Sequence, residues 1–240
     1  MLRRFGPALL ALPLLAATAG AASSAEPPPD ALRVLVVTGG HDFPASFYAV
    51  FEGRPEWRWT HAPSNEEAFA QEIVPRFDVL VLYDYSQKLA EEGKARLRAF
   101  AEAGRGIVVL HHALCDYQDW PWFEELVGGR YLMSDEGDRK ASTYRHDVEL
   151  LVKPAGSHPI VDGLGPMRLV DETYKGMRIS PRVTPLLEID HPDGDRWVAW
   201  VSPYEPARVV AIQLGHDERA HRSPGYHELV RRAILWSARR

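Results

Sequence analysis

Apolar residues recur along the chain in two patterns, and these patterns alternate. Runs such as VLVV and VLVL place apolar residues at consecutive positions, which is typical of parallel strands buried on both faces. Strands of this kind are predicted at 33–38, 77–82, 106–110 and 208–214, with a period-two strand at 56–62. Helical spacing predicts helices at 44–52, 65–73, 88–103, 119–127 and 224–240. This order predicts an α/β fold, in which helices cover both faces of a mostly parallel sheet.

The second half of the chain is less regular. Segments 145–152, 184–190 and 196–202 have the composition of strands, and we expect them to form an antiparallel extension of the sheet. Segment 128–143 is predicted to be a long loop. Because no repeat, low-complexity tract or linker divides the sequence, residues 33–240 are predicted to form a single domain.

Residues 1–25 have the features of a secretory signal peptide. Two arginines precede the apolar run ALLALPLLAA, which is too short to cross a bilayer, and small residues follow it. We expect cleavage after Ala25, with Ala21 as the alternative, and an exposed lead-in at 26–32. The mature protein is therefore expected to be exported, periplasmic or extracellular, and to have no membrane span.

Composition narrows the class of function. The 240 residues are 45% hydrophobic and 25% charged, which is ordinary for a soluble globular domain. The formal net charge is −5, and about −7 once the leader with its two arginines is removed. An acidic chain without a cluster of basic and aromatic residues is not expected to bind nucleic acid. The single cysteine, Cys115, cannot form an intramolecular disulfide, so the core must hold the exported domain together.

Histidines follow three of the predicted core strands. In parallel sheets, ligands bind beyond the carboxyl ends of the strands, because these ends gather at one edge. The stretch GIVVLHHALC shows the pattern most clearly, since a run of apolar residues is followed by two imidazoles. We expect one imidazole from each of the three strand ends to face a shared crevice. The polar side chains at the strand ends are His41, Asp42, Asp84, His111, His112, His216 and Asp217.

Structural roles are the alternative for each of these residues. An imidazole after a strand can cap a helix or bond a backbone carbonyl, and Asp84 can cap the next helix. Cys115 is interpreted as a small buried residue and not as a nucleophile. Packing or turn roles are preferred for the remaining histidines, namely His61, His146, His158, His191, His221 and His227.

Six further segments occur in a characteristic order along the chain. They are VLVVTGGHDF, GIVVLHHA, LVGGRY, SHPIVDGL, DETY and VVAIQLGHD. Together they resemble the trehalose-utilisation (ThuA-like) family, over nearly all of 33–240. The resemblance implies a flavodoxin-like fold similar to that of class I glutamine amidotransferases, and a role in carbohydrate catabolism.

In amidotransferases of that fold, the nucleophilic cysteine stands on a sharp elbow after a central strand. The resemblance places His111 and His112 at this elbow, where a side chain is expected to be exposed above the sheet. Cys115 lies three to four residues further along, so glutaminase activity is not expected. The pair His216-Asp217 lies near the place of the amidotransferase His-x-Glu pair.

The first functional hypothesis is an enzyme acting on a sugar, either a disaccharide or its oxidised keto form. Acid–base roles are assigned to His111, His112, His216 and Asp217. Substrate contacts are assigned to His41, Asp42, Asp84, Trp120, Tyr131 and Glu172. Glu172 matches an acidic family motif, and a solvated loop acid is its alternative. Trp120, Trp122 and Tyr131 either stack on a sugar ring or pack over the sheet edge. Isomerisation, hydrolysis and lyase chemistry all stay open.

The second hypothesis adds a divalent metal, zinc first, bound by His41, His111 and His216. Three imidazoles with a carboxylate or water fit a catalytic zinc site. Adjacent histidines cannot point the same way from an extended chain, so only one of His111 and His112 is expected to be a ligand. The third hypothesis is a non-catalytic carbohydrate-binding or scaffold domain. No nucleotide is expected, a small carbohydrate is the expected ligand, and a homo-oligomer stays open.

Overall fold

The computed structural model describes residues 28–85 and 88–240, and the predicted signal peptide lies outside these ranges. The strands are β1 Leu32–Val37, β2 Trp57–Ala62, β3 Val79–Leu82, β4 Gly106–Leu110, β5 Gly129–Arg130, β6 Thr143–Pro154, β7 Met167–Lys175, β8 Arg178–Ile179, β9 Thr184–Glu188, β10 Trp197–Val201 and β11 Arg208–Ile212. The α-helices are α1 Asn65–Ala68, α2 Glu91–Glu102, α3 Pro121–Val127, α4 Glu218–His221 and α5 Pro224–Ser237. Two 3₁₀ helices span Ala45–Val50 and His111–Cys115.

The apolar runs form the parallel half of the main sheet. Within the described ranges, this sheet has the strand order β2-β1-β3-β4-β11-β10-β9-β6-β7. The strands from β2 to β11 in this order pair in parallel. Antiparallel pairing then continues from β11 through β10 and β9 to β6 and β7. The predicted α/β fold with an antiparallel extension is therefore confirmed.

Both faces of the inner parallel strands β1, β3, β4 and β11 are largely buried, which explains why their residues are mostly apolar at consecutive positions. Along β4, Val108 and Leu110 belong to the core that includes residues of α5. Ile107 and Val109 belong to a second core on the opposite face, which includes residues of α2 and α3. Each fully buried side chain of this kind contributes about 1.5–3 kcal/mol to stability.

Some helices differ from their predicted bounds. The helix expected at 65–73 ends at Ala68, where the carbonyl of Phe69 accepts a hydrogen bond from the Arg96 guanidinium and not from a further helical turn. Helix α2 ends just before Gly104, whose φ of +69° agrees with the predicted C-terminal glycine. No helix in the described part of the chain is long and apolar enough to cross a membrane.

Strand β7 is the main element that the sequence prediction lacks. Its residues Asp171, Glu172, Thr173 and Tyr174 are all buried, so no alternation of polar and apolar positions marks the strand. The segment predicted as a loop at 128–143 also contains a short strand, β5, which pairs with β8. The β6–β7 ladder brings the end of β7 to the carboxyl edge of β11, where the candidate site lies.

Candidate active site at the carboxyl edge of the parallel strands

A cavity of about 230 Å³ lies at the carboxyl edge of the parallel strands. Four histidines line this cavity, namely His41, His112, His146 and His216. Four tyrosines also line it, namely Tyr85, Tyr131, Tyr144 and Tyr174. Glu172, Cys115 and Met133 complete the wall. The cavity therefore receives a histidine from each of the three strand ends, together with side chains of β6 and β7.

His111 is the residue at which the chain turns out of β4. Its φ of +41° lies in the left-handed region, which is unusual for a residue other than glycine and forms the sharp elbow. Its Nδ1–H donates to the carbonyl of Gln213, which can only accept, so Nε2 is the ring nitrogen that faces the other groups of the site. This Nε2 lies 3.1 Å from the Tyr174 hydroxyl, 3.2 Å from Nδ1 of His216 and 3.3 Å from Oε1 of Glu172.

The expectation that the elbow side chain stands exposed above the sheet is wrong for His111. This side chain is fully buried, because Glu172 and Tyr174 of β7 cover it. His112 is the elbow residue that reaches the cavity, and only 5% of it is exposed. The two imidazoles lie close together, with 4.4 Å between ring centroids, because the chain forms a 3₁₀ helix here. The expectation that they point apart rested on an extended chain and is therefore wrong.

His112 is buried in the cavity wall without a polar partner. Among the described residues, no hydrogen-bond partner contacts either ring nitrogen. Its ring stacks on His41, with 3.9 Å between centroids. Burial, followed by repulsion from the neighbouring imidazoles, lowers the pKa of His112 far below its usual value, so the ring is neutral at physiological pH. Both nitrogens are themselves buried, so a ligand in the cavity reaches them only after the ring turns.

Glu172 is the carboxylate at the centre of the cluster. It is 5% exposed on β7, which corrects the alternative of a solvated loop acid. Its Oε2 lies 2.8 Å from Nδ1 of His146 and 3.9 Å from Nδ1 of His216. Burial raises the pKa of the Glu172 carboxyl, but the hydrogen bond from His111 and the attraction of the surrounding imidazoles outweigh burial and lower this pKa. Glu172 is therefore ionised at neutral pH.

A β-bulge aims His146 at Glu172. Arg145 pairs with Thr173 and Val148 pairs with Asp171, so two residues of β6 lie opposite Glu172 alone. The second of them, Asp147, has a φ of +59°. Bulges of this kind redirect a side chain and often lie next to active sites. Sequence analysis assigned His146 to a packing or turn role. The one feature of the sequence that could have indicated the bulge is the polar stretch before Val148.

The backbone of His216 is held on both sides. Asp171 accepts hydrogen bonds from the amides of Gly215 and His216, at 2.8 and 3.0 Å. The carbonyl of Gly215 accepts from the Tyr83 hydroxyl and from Nε2 of His221, both at 2.9 Å. Burial and then the nearby His111 lower the pKa of His216 to about 4, so this ring is also neutral at pH 7.

A family model described as ThuA, trehalose utilisation, matches residues 33–237. The chain belongs to the ThuA family. The resemblance predicted from the ordered segments is thereby confirmed. No curated protein sequence matches the chain significantly.

Solved structures of ThuA-like proteins share the fold of this ThuA family member. One from Parabacteroides merdae has a TM-score of 0.74 and 19% identity, over 87% of this chain and 90% of that one. One from Bacteroides uniformis has a TM-score of 0.65 and 16% identity, over 91% of this chain and 94% of that one. A glutamine amidotransferase from Thermotoga maritima has a TM-score of 0.51 and 9% identity, over 87% and 99%. At these identities the likeness shows the fold alone, and it is the amidotransferase-like fold that the family resemblance implies.

Several residues with predicted site roles lie outside the cavity wall of this ThuA protein. Trp120 packs beside Tyr117, Phe123 and Trp122, with the Arg98 guanidinium 5.4 Å from its ring, so the packing alternative applies. Asp217 caps α4 and binds the Arg219 guanidinium at 2.5 Å. Asp42 is exposed, and Asp84 is buried after β3, 3.5 Å from the Tyr117 hydroxyl.

Tyr131 and Cys115 both line the cavity. The Tyr131 hydroxyl donates to the carbonyl of Ser142 at 2.9 Å, which fixes the ring edge-on to Tyr174. Burial raises the pKa of the Cys115 thiol well above its usual value, so the sulfur is protonated at neutral pH. A protonated, buried thiol is a poor nucleophile, in agreement with the interpretation of Cys115 as a packing residue.

Two groups of side chains in the described ranges place potential metal-ligand atoms within 4.8 Å of one another. They are His111 with His112 and His216, and His146 with Glu172 and His216. His41 belongs to neither group, so the predicted ligand set of His41, His111 and His216 is not assembled. Sequence analysis missed His146, Tyr85, Tyr144 and Tyr174 as cavity residues, and Asp171 and His221 as supports of the His216 backbone.

Proposed function

We propose that this ThuA family protein is an enzyme of carbohydrate catabolism that moves a proton on a sugar, with Glu172 at the centre of its site. One observation carries the proposal. Glu172 is a buried, ionised carboxylate in the wall of a cavity, with imidazoles of His111 and His146 within 3.3 Å of its oxygens. Packing alone does not require a buried carboxylate beside two imidazoles.

The protonation states favour a site that accepts protons. At pH 7 the Glu172 carboxylate is ionised, and the lowered pKa values of His112 and His216 keep these rings neutral. A keto-sugar carries an acidic C–H next to its carbonyl, and removal of that proton requires a base. The ionised Glu172 can accept this proton and return it to the leaving or enolate oxygen. His112 is too weak a base for this step, because its pKa is far below the usual value, and it is assigned to contact with the sugar.

The cavity wall supports a sugar as the ligand class. A volume of about 230 Å³ is below the roughly 300–1,000 Å³ typical of drug-sized sites, so it suits one sugar ring with a second ring at the mouth. Tyr144 is 60% exposed and Met133 is 42% exposed, and both belong to the cavity wall. An exposed tyrosine ring can pack on the apolar face of a sugar. This role falls to Tyr144 and Tyr131 and not to Trp120.

Export is part of the proposal. It is supported by the signal-peptide features of residues 1–25, which lie outside the described ranges. Periplasmic fractionation of cells that make the full chain, followed by mass determination of the mature N-terminus, tests it.

Turnover by a matched pair of carboxylate variants tests the enzymatic role. We expect the wild-type protein to convert trehalose or its keto form, and Glu172→Gln to lower kcat on the order of a hundredfold or more. Glu188→Gln, which removes a carboxylate paired with Arg196 outside the cavity, should retain wild-type activity. Full activity of Glu172→Gln would refute the assignment of Glu172. Sugar binding without turnover of any tested sugar would instead favour the non-catalytic carbohydrate-binding domain.

A further inference from the structure

We infer that His146, Glu172 and His216 bind a divalent metal ion, zinc first, in the wall of the cavity. The inference deepens the proposed function and rests on it for the role of the ion, but not for its binding. With the ion on Oε2 of Glu172, Oε1 would be the oxygen left to accept the proton. The predicted metal site on His41 is thereby replaced by one that uses the β6–β7 hairpin.

The three side chains offer a geometry close to that of a metal site. Their ligand atoms all lie within 4.8 Å of one another. Oε2 of Glu172 lies 2.8 Å from Nδ1 of His146 and 3.9 Å from Nδ1 of His216. In tetrahedral zinc sites with bonds of about 2.0–2.1 Å, ligand atoms lie roughly 3.3 Å apart. The observed separations bracket this value, so small side-chain rotations are enough to form the site.

The chemistry of the three ligands suits a catalytic ion. Two imidazoles with one carboxylate are a known ligand set of catalytic zinc, and they leave a fourth position for water or substrate. All three side chains line the cavity, so this open position faces a bound sugar.

The charge of the cavity wall also suits a cation. Among the described residues that line it, Glu172 is the single carboxylate, and no lysine or arginine is present. A divalent ion therefore meets one full negative charge and several lone pairs, without a competing ammonium or guanidinium group.

Other side chains hold the three ligands in place. Nε2 of His111 lies 3.3 Å from Oε1 of Glu172, the oxygen that His146 leaves free. Asp171 fixes the backbone of His216, and the bulge fixes that of His146. Partners of this kind orient metal ligands and raise affinity.

The second group, His111 with His112 and His216, is the competing site. We favour the His146 group because His111 is engaged at both ring nitrogens, by the Gln213 carbonyl and the Tyr174 hydroxyl. The second group also lacks a carboxylate to offset the charge of the ion. His112, whose buried nitrogens have no partner within the described part of the chain, lies in the wall of the same cavity and can contact a sugar oxygen once its ring turns.

Zinc titration of the tag-free, metal-stripped full-length protein, by calorimetry and elemental analysis without any sugar, tests the inference. We expect one zinc per chain, with affinity lowered at least tenfold in His146→Ala and Glu172→Gln. His191→Ala, which removes an imidazole outside the cavity, should bind like the wild type. Because His146 is half exposed, His146→Ala is expected to fold, and circular dichroism checks both variants.

Two results would overturn the inference. One is the absence of stoichiometric zinc, cobalt or manganese uptake by the wild-type protein. The other is uptake that survives His146→Ala but is lost in His112→Ala, which would place the ion in the competing group. Turnover is measured separately, so sugar conversion by a protein that binds no metal would leave the proposed function standing. Metal binding without conversion of any sugar would leave the metal site standing and count against the proposed function.

Discussion

Nδ1 of His146 lies 2.8 Å from Oε2 of Glu172, across a bulge that places two residues of β6 opposite one residue of β7. This contact joins the antiparallel extension to the imidazoles at the ends of β4 and β11. The bulge depends on Asp147, whose φ is +59°. Its backbone can therefore be tested without touching any side chain in the cavity.

We expect His146→Ala to lower activity, because it removes an imidazole beside Glu172. Asp147→Val should lower activity to a similar extent, whereas Asp147→Gly should retain wild-type activity. A β-branched residue resists positive φ, while glycine adopts it readily. Both variants lose the exposed ion pair with Arg219 equally, so glycine is the matched control. Initial rates on the sugar substrate, with thermal unfolding to check the fold, provide the measurement. Equal activities of the valine and glycine variants would show that the bulge does not position His146.

Cys115→Ser should keep most of the activity. The thiol lines the cavity, but burial holds its pKa well above the usual value, so it is protonated and unreactive. Rates of the variant and slow alkylation of the native protein by iodoacetamide are the two measurements. Loss of activity in a folded serine variant would assign the cysteine a chemical role and contradict this account.

Asp171→Asn should destabilise the protein by about 1–3 kcal/mol, the usual cost of unsatisfied buried groups. The carboxylate is fully buried and accepts from the amides of Gly215, His216 and Glu172, and an asparagine would turn an NH₂ group towards some of these donors. Urea unfolding measures the free energy, with the exposed Asp190→Asn as control. We also expect kcat to fall, because His216 loses its position. A variant as stable and active as the wild type would show that the hydrogen bonds to Asp171 do not position His216.

Stability should fall as the pH drops from about 6.5 to 4. Burial lowers the pKa of His216 and of His221 to about 4 each, from an ordinary value of 6.5. Between these values the unfolded chain binds more protons than the folded protein, so the free energy of unfolding decreases with falling pH. Urea titrations across this range should show a smaller slope in His216→Gln than in the wild type. Identical slopes would mean that the folded state does not hold His216 as a neutral ring.

Tyr144→Ala should raise KM for the sugar with little change in kcat or stability. The ring is 60% exposed at the cavity, so its removal costs little packing. Trp120→Ala should give the opposite pattern, because a buried Trp→Ala change costs about 3–5 kcal/mol. Steady-state kinetics and urea unfolding of both variants distinguish a ligand contact from a core contact. An unchanged KM in the tyrosine variant would remove this ring from the sugar site.

The part of the site that lies on parallel strands follows from the sequence. Consecutive apolar residues fix β1, β4 and β11, and parallel pairing then brings His41, His112 and His216 to one edge. The physical reason is topological, since all parallel strands end on the same side. Runs of consecutive apolar residues are enough to locate these strand ends, so the prediction needs no knowledge of long-range contacts.

The part contributed by β6 and β7 does not follow from the sequence. Glu172 and His146 reach the cavity only through a long-range ladder whose register contains a bulge. Strand β7 has no recognisable strand pattern in the sequence, because polar residues are buried on both of its faces. The groups that bind these polar residues are distant in the sequence, so their burial cannot be predicted from it. Trp120 shows the reverse case. An aromatic residue near the elbow is equally compatible with stacking and packing until the contacts of α3 are known.

The most direct test of the central claim is a crystal structure of the protein soaked with trehalose or its keto form, with anomalous scattering recorded at the zinc edge. The account predicts a sugar ring in the cavity, with an oxygen in hydrogen-bond contact with His112, and an anomalous peak between His146, Glu172 and His216. A sugar bound elsewhere, for instance in the cleft beside Lys153 and Arg196, with no density in the histidine-lined cavity, would contradict it.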